Sequence, residues 1–141
     1  MSKRTDIKRK IESVLNAANI ANANIFSNRK KAHFNSTFPM VEIYSLRGNS
    51  ERENSRVNHY RRNLDVVIKV VNESKSEEDF DLSESLDGIT AQIENELMKD
   101  ITLDGLTIDI EVKDFEETFE PSRVLMAAQG TVFKITYQER L

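Results

Sequence analysis

Two stretches of alternating apolar residues, joined by a long polar connection, constrain the fold of this chain more than any other feature. The first stretch covers residues 38–45 and the second covers residues 62–71. Period-two alternation with many β-branched residues is typical of β-strands. In the second stretch, one face carries Leu64, Val66, Ile68 and Val70, and the other carries Val67 and Val71. We therefore predict a central pair of strands.

The connection between these strands, from Leu46 to Arg61, is polar, rich in arginine and without apolar periodicity. Connections of more than about 12–15 residues without secondary structure are uncommon in compact domains and are usually functional or disordered. We interpret this one as a flexible loop that becomes ordered when it binds a partner. The candidate partner-binding arginines in and beside it are Arg47, Arg52, Arg56, Arg61 and Arg62.

Two further segments have the apolar spacing of amphipathic helices. In the first, from Thr5 to Ala18, the apolar stripe consists of Ile7, Ile11, Val14, Leu15 and Ala18. Either Thr5 or Ser2 is a suitable N-cap for it. In the second, from about Ser83 to Lys99, the stripe consists of Leu82, Leu86, Ile89, Ile93 and Leu97.

The remaining segments predict three more strands. One begins near Ile25, another covers residues 106–119 after a turn at Asp104–Gly105, and the last covers residues 124–137. The expected inward face of the middle one is Leu106, Ile108, Ile110 and Val112. Pro39 fits only the beginning of an edge strand. The element order predicts a single α+β domain, residues 1–141, with a mostly antiparallel β-sheet of about four to five strands and two helices packed on one face.

The net charge of −4 conceals an uneven distribution. Residues 1–71 carry 14 Lys and Arg against 6 Asp and Glu, whereas residues 72–141 carry 6 against 18. This asymmetry suits a half that binds nucleic acid, or a subunit that self-assembles through oppositely charged faces, although two solvated faces would give it too. In the acidic half, Glu116, Glu117 and Glu120 are candidate partners for arginines of a neighbouring copy.

The composition argues against several classes of protein. The chain has no cysteine, which removes disulfides, thiolate metal sites and cysteine nucleophiles. No apolar run approaches the roughly 18 residues of a membrane span. The basic N-terminus is not followed by the apolar region of a secretory signal. We therefore expect synthesis in the cytoplasm and no membrane partner.

The pattern most suggestive of catalysis is Asp109-Ile-Glu111-Val-Lys113. Two carboxylates and a lysine on one face of a strand occur in Mg²⁺-dependent nucleases. Any strand with one solvated face gives alternating charges, however, and no acidic residue on a preceding strand clearly completes the set. His33 and His59 have no second histidine at ligand spacing, and the glycines form no phosphate loop. We expect no enzymatic activity, no metal and no cofactor.

Nucleic acid is the alternative ligand for the arginines. Together with Arg29, Lys30 and Lys31 they would form a phosphate-binding surface. Glu51 and Glu53 interleave with them, however, and the sequence contains no recognised nucleic-acid-binding motif. A carboxylate-bearing protein partner suits the arginines equally well. We therefore consider nucleic acid an unlikely partner.

The layout as a whole resembles that of the tail terminator proteins (minor tail or tail completion proteins) of long-tailed bacteriophages and prophages. The resemblance covers nearly the whole chain and rests on the helices, the polar central loop and the strands described above. Its most specific parts are the Phe38-Pro39 entry into an alternating strand and the closing Phe133-Lys-Ile-Thr-Tyr137. The central loop is arginine-rich here, where the family pattern is acidic or neutral.

The resemblance implies a hexameric ring that caps the tail tube, ends tube polymerisation and provides the head-joining surface. The implied partners are other copies of the chain, the tail tube protein and the head connector protein. The implied location is the virion tail, after assembly in the host cytoplasm. A head-connector or neck protein is the alternative among structural proteins, and a nucleic-acid-binding protein or Mg²⁺-dependent nuclease is the alternative from another class. If the protein forms such a ring, we expect replacement of Arg52 and Arg56 with glutamate to weaken ring or tube binding without unfolding the subunit.

Overall fold

The computed structural model describes residues 2–20, 24–27, 39–53, 58–74, 79–120 and 125–140. Its elements are α1 (Lys3–Ala18), β1 (Asn24–Ser27), β2 (Met40–Arg52), β3 (His59–Ser74), α2 (Asp79–Met98), β4 (Asp109–Glu120) and β5 (Leu125–Arg140). The strands form one sheet in the order β1-β2-β3-β5-β4. β1 pairs in parallel with β2, and the other neighbouring pairs are antiparallel. The predicted α+β class and element order are confirmed.

Both helices pack on one face of the sheet, which we call the helix face; the other is the open face. The predicted stripes supply the helix side of the core, with Ile7, Ile11 and Leu15 from α1 and Leu82, Leu86, Ile89, Ile93 and Leu97 from α2. The sheet side includes Leu64, Val66, Ile68 and Val70 of β3 and Phe133, Ile135 and Tyr137 of β5. Burying one such side chain contributes about 1.5–3 kcal/mol, so this layer dominates the stability of the fold.

Local capping fixes the ends of α1. Ser2 is the N-cap, because its hydroxyl accepts a hydrogen bond from the backbone N–H of Thr5 at 3.3 Å. The helix ends at Asn19, whose φ of 50° lies in the left-handed region that asparagine tolerates. The predicted turn at Asp104–Gly105 is confirmed, and Gly105 has a φ of 89°. An ion pair between Lys10 and Asp104 ties this turn to α1.

The predicted loop from Leu46 to Arg61 is mostly strand, so that prediction was wrong. β2 continues to Arg52 and β3 begins at His59, and the two pair along this whole extension. Residues 45–52 are exposed, so no buried face imposed an apolar alternation on them. Backbone pairing and polar cross-strand contacts, such as Asn63 to Asn49 at 3.0 Å, hold the extension together instead. We call this extension, residues 45–53 and 58–63, the arm; residues 54–57 lie outside the described residues.

Pro39 does not mark an edge strand, which corrects a second prediction. β2 lies between β1 and β3 in the sheet. The proline is tolerated there because the ladder begins at Met40, so the missing N–H of Pro39 falls outside the pairing. β1 covers only residues 40–43 of β2. Among the described strands, the arm half of β2 therefore has no neighbour on its outer side.

The inward face predicted for residues 106–119 is only partly buried. Ile110 is buried and Leu106 packs against the core, but Ile108 and Val112 are exposed. These side chains are exposed because of the position of β4 at the border of the sheet. Among the described strands β4 pairs only with β5, and α2 covers little of it. A bulge between Val112 and Asp114 then shifts the register. Beyond it, pairing with Thr131, Gln129 and Ala127 of β5 places Phe115, Glu117 and Phe119 on the helix face.

Candidate protein interaction surface

The predicted partner-binding residues lie on two separate parts of the sheet. The arginines lie on β2 and β3 in the arm, and the glutamates lie on β4. β5 lies between β3 and β4 and pairs with both. Arg61, near the end of the arm, pairs with Gln138 of β5, whereas Glu116 of β4 pairs with Gly130 of β5. Eight residues of strand span roughly 26 Å. The structure therefore does not bring the two charge sets together within one subunit.

Most arginines of the arm already have a carboxylate partner in their own subunit. Nε of Arg47 lies 3.1 Å from Oδ2 of Asp65, and Nε of Arg62 lies 3.0 Å from Oε1 of Glu139. The Arg62 guanidinium also lies 5.5 Å from the centre of the Tyr60 ring. The pairing of Arg61 is looser, with 3.6 Å from its Nε to Oε1 of Glu53.

Arg52 differs from the other described arginines of the arm. It is exposed on the arm half of β2, opposite Tyr60 of β3, and has no ion pair with any described residue. An unpaired guanidinium keeps its donors available for a carboxylate of another chain. Arg52 is thus the predicted arginine that the fold leaves most available, whereas Arg56 lies outside the described residues.

The predicted glutamates of β4 also differ from one another. Glu116 is exposed and lies opposite Gly130 on the open face. Glu117 is held within its own subunit, since Oε1 accepts hydrogen bonds from Ser83 at 2.9 Å and from Gln129 at 3.1 Å. Glu120 ends β4 opposite Met126, and its side chain falls outside the described part of the chain. Of the two glutamates whose side chains the structure describes, Glu116 is therefore the available one.

Asp65 is a buried carboxylate that the sequence reasoning missed. Its Oδ2 accepts hydrogen bonds from Lys113 at 2.7 Å and from Arg47 at 3.1 Å, so one residue of β3 connects β4 with the arm. Burial raises the pKa of Asp65, but the hydrogen bonds and charges of Lys113 and Arg47 outweigh burial and lower the pKa overall. A sequence signal existed, because Asp65 shares a strand face with the apolar Val67 and Val71.

A second missed feature is a buried polar network between α2 and the sheet. The fully buried Gln129 accepts a hydrogen bond from Thr90 at 2.8 Å and donates to Asp87 at 2.6 Å and to Glu117 at 3.1 Å. A buried amide with all of these partners fixes one arrangement of the packed layers. The network thus sets how α2 sits against β5 and β4.

Several exposed apolar side chains lie on β4 and on the arm half of β2. Val112, Phe115 and Phe119 of β4 are 47%, 49% and 45% exposed, on the helix face where α2 does not reach. Leu46, at the bulge between Ser45 and Arg47 of β2, is 58% exposed. Exposed apolar residues that cluster among charged ones often mark interaction sites. The sequence reasoning counted Val112 as core because it continued the alternation of Ile108 and Ile110.

The arrangement around Asp109, Glu111 and Lys113 does not resemble a metal-dependent active site. Lys134 of β5 lies opposite Glu111 of β4 on one side and opposite Asp65 of β3 on the other, so the lysine separates these two carboxylates. Two strand spacings put them about 10 Å apart. The Lys113 ammonium binds Asp65. Among the described residues, no group of three acidic, histidine or cysteine side chains could hold a metal ion.

The structure describes one of the two histidines. His59 begins β3 opposite Arg140 of β5, and His33 lies outside the described residues.

Neither helix of the described chain is both long enough and apolar enough to cross a membrane.

Comparison with known proteins gives a likeness of fold. No family model matches the chain, and no curated protein matches it. The fold is similar to that of a chain in a solved structure described as the virion of a native gene transfer agent (GTA) particle. The TM-score is 0.59 at 12% sequence identity, and the match covers 91% of each chain. At this identity the likeness shows a shared fold over nearly the full length of both chains.

Proposed function

We propose that this protein is a structural protein of a phage-like virion and, within that class, a tail terminator. In this role, copies form a ring, expected to be hexameric, that caps the tail tube, ends tube polymerisation and provides the head-joining surface. The observation that carries the proposal is the fold shared over 91% of each chain with a chain of a gene transfer agent virion. The tail-terminator layout of the sequence narrows the role.

The distribution of charge supports assembly from identical copies. The exposed Arg52 of the arm and the exposed Glu116 of β4 lie too far apart to meet within one subunit. Between neighbouring copies in a head-to-tail arrangement, the two surfaces can face each other, and such an arrangement closes into a ring when its rotation allows. Opposite charges fix that orientation and disfavour contacts between like surfaces.

The proposed role requires no catalysis and no cofactor. It needs surfaces that bind other copies, the tail tube protein and the head connector protein, on the virion tail and during assembly in the host cytoplasm. Proteins with such roles act through shape and charge rather than through a reactive group. The separated carboxylates around Lys134 are consistent with this proposal.

The test is to add the purified protein to polymerising tail tubes and to measure tube length and tube ends by negative-stain electron microscopy. We expect capped ends and a defined length. Arg52→Glu should reduce capping, and Lys99→Glu is the matched control, since Lys99 is exposed and, among the described residues, pairs only with Glu96 one helical turn away. Tubes that grow without limit in excess wild-type protein would refute the tail terminator role.

Two further assays separate the alternatives. A protein that binds portal complexes but leaves tubes uncapped would be a connector or neck protein. A gel shift that weakens steeply with salt would indicate nucleic acid binding. Mg²⁺-dependent cleavage that Glu111→Ala abolishes would indicate a nuclease.

A further inference from the structure

The described sheet has two long edges without a neighbouring strand. β4, Asp109–Glu120, pairs with β5 on one side only, and the arm half of β2 extends beyond the four residues covered by β1. An edge of this kind presents a row of N–H and C=O groups that can pair with another strand. Because β4 lies at one lateral border of the sheet and the arm half of β2 lies on the other side of β3 and β5, one subunit can use both edges at once.

The two edges complement each other in charge. β4 carries six carboxylates and one lysine, a net charge of −5. The arm carries four arginines and two glutamates, a net charge of +2. Among these arginines, Arg52 is exposed and Arg61 is loosely paired. Directly opposed residues of paired strands stabilise the pair when their charges are opposite and destabilise it when the charges are alike. Pairing of two β4 edges would oppose acidic residues to one another, so β4 favours the arm of another copy.

The exposed apolar residues lie on the same two edges. Val112, Phe115 and Phe119 are half exposed on β4, and Leu46 is exposed on the arm half of β2. A strand added beside β4 brings its side chains next to this apolar stripe. The contact then has an apolar centre and a charged rim, which is the usual composition of a stable interface.

We propose that β4 of one copy pairs with the outer edge of the arm half of β2 of the next copy, which continues the sheet from subunit to subunit. This is strand addition with a second copy of the chain as the partner. The contact is head-to-tail, so each copy uses both edges and repetition of the contact generates the ring of the proposed function, on which this inference rests.

The test uses single cysteines, because the natural chain has none. One set of copies carries Asn49→Cys or Glu51→Cys on the open face of the arm. The other set, distinguished by a tag, carries Asp114→Cys, Glu116→Cys or Thr118→Cys on the open face of β4. Disulfides require Cα atoms about 4.4–6.8 Å apart, so only adjacent strands react.

We expect at least one combination to give a disulfide-linked dimer that contains one copy of each kind when the sets are mixed under mild oxidation. Each set alone should remain uncrosslinked. Absence of mixed dimers from every combination, under conditions in which wild-type rings form, would overturn the inference. Preferential linkage between two β4 cysteines would also overturn it.

A second measurement tests the apolar stripe. Phe115→Ser and Phe119→Ser should each weaken self-association about tenfold in sedimentation experiments, the equivalent of about 1.4 kcal/mol. Ile101→Ser is the matched control, since Ile101 is 39% exposed outside both edges, and it should change self-association less than twofold. Equal effects of the three variants would refute the role of the stripe.

The outcomes distinguish this inference from the proposed function. If the wild-type protein forms rings and caps tubes but the cysteine variants give no mixed dimers, the edge contact is wrong and the tail terminator role stands. If the cysteine variants form mixed dimers but the wild-type protein never caps tubes, the edge contact stands and the tail terminator role fails.

Discussion

The two cations around Asp65 provide the sharpest test of how the sheet is held together. Asp65→Asn removes the buried charge and weakens the hydrogen bonds from Lys113 and Arg47. Hydrogen bonds to charged groups contribute about 1.5–3 kcal/mol each. The Arg47 and Lys113 side chains are 73% and 41% exposed and regain water when released, so the estimate must be reduced. We expect a loss of about 1–2 kcal/mol at pH 7, which lowers Tm by about 3–7 °C for a chain of 141 residues.

The pH dependence identifies the cause of that loss. Because the folded state lowers the pKa of Asp65, the stabilisation is fully present above the unfolded pKa of about 3.9 and is lost as the pH falls through the folded value. The difference between wild type and Asp65→Asn should therefore be constant from pH 7 to about pH 5 and shrink progressively below about pH 4.

Urea denaturation followed by circular dichroism at pH 7 and pH 3 measures this difference. Glu111→Gln is the control, since Glu111 is exposed and lies 3.5 Å from a single lysine, Lys134. It should cost at most about 0.5 kcal/mol. If Asp65→Asn is as stable as wild type at pH 7, or if its loss does not shrink at pH 3, the charge argument is wrong.

Two further predictions concern packing. Gly88→Ala should stabilise the protein by about 1 kcal/mol, because Gly88 lies in a helix and a Cβ added there meets nothing within 4 Å. Gly48→Ala should destabilise the protein by about 1–3 kcal/mol, because the added Cβ would lie 2.9 Å from the carbonyl oxygen of Asn63. If both substitutions shift the denaturation midpoint in the same direction relative to wild type, the structure is contradicted. Gln129→Leu should cost about 1–3 kcal/mol by removing the hydrogen-bond partner of Thr90, and unchanged thermal stability would show that the network is dispensable.

The fold could be predicted from the sequence wherever packing against the core imposes a regular spacing of apolar residues. Leu86 and Ile93 face the sheet at helical spacing, and Val66 and Ile68 belong to a strand with a buried face, so burial left a visible pattern. The arm left no such pattern, because residues 45–52 are exposed on the sheet's edge. A strand that is held by backbone pairing and polar cross-strand contacts, without a buried face, is indistinguishable from a polar loop in a single sequence.

For the candidate site, the sequence indicated which charged residues take part better than it indicated which side chains they contact. The sequence identified Arg52 and Glu116 as charged and accessible, but it did not show that Asp65 already holds Arg47 or that Gln129 already holds Glu117. These pairings join residues 18 and 12 positions apart through the strand order. They therefore depend on three-dimensional neighbours that no local spacing encodes.

The bulge in β4 has a consequence for how this strand tolerates insertions and deletions. Val112 and Phe115 lie on the same face although three positions separate them, because Lys113 is the extra residue of the bulge. A chain that lost Lys113 would keep Phe115, Glu117 and Phe119 on their present side, since the remaining residues would alternate without interruption. A deletion two or three positions later would instead turn the rest of the strand over. Lys113 is thus a residue that β4 can lose without inverting its faces, at the cost of the local twist and the contact with Asp65.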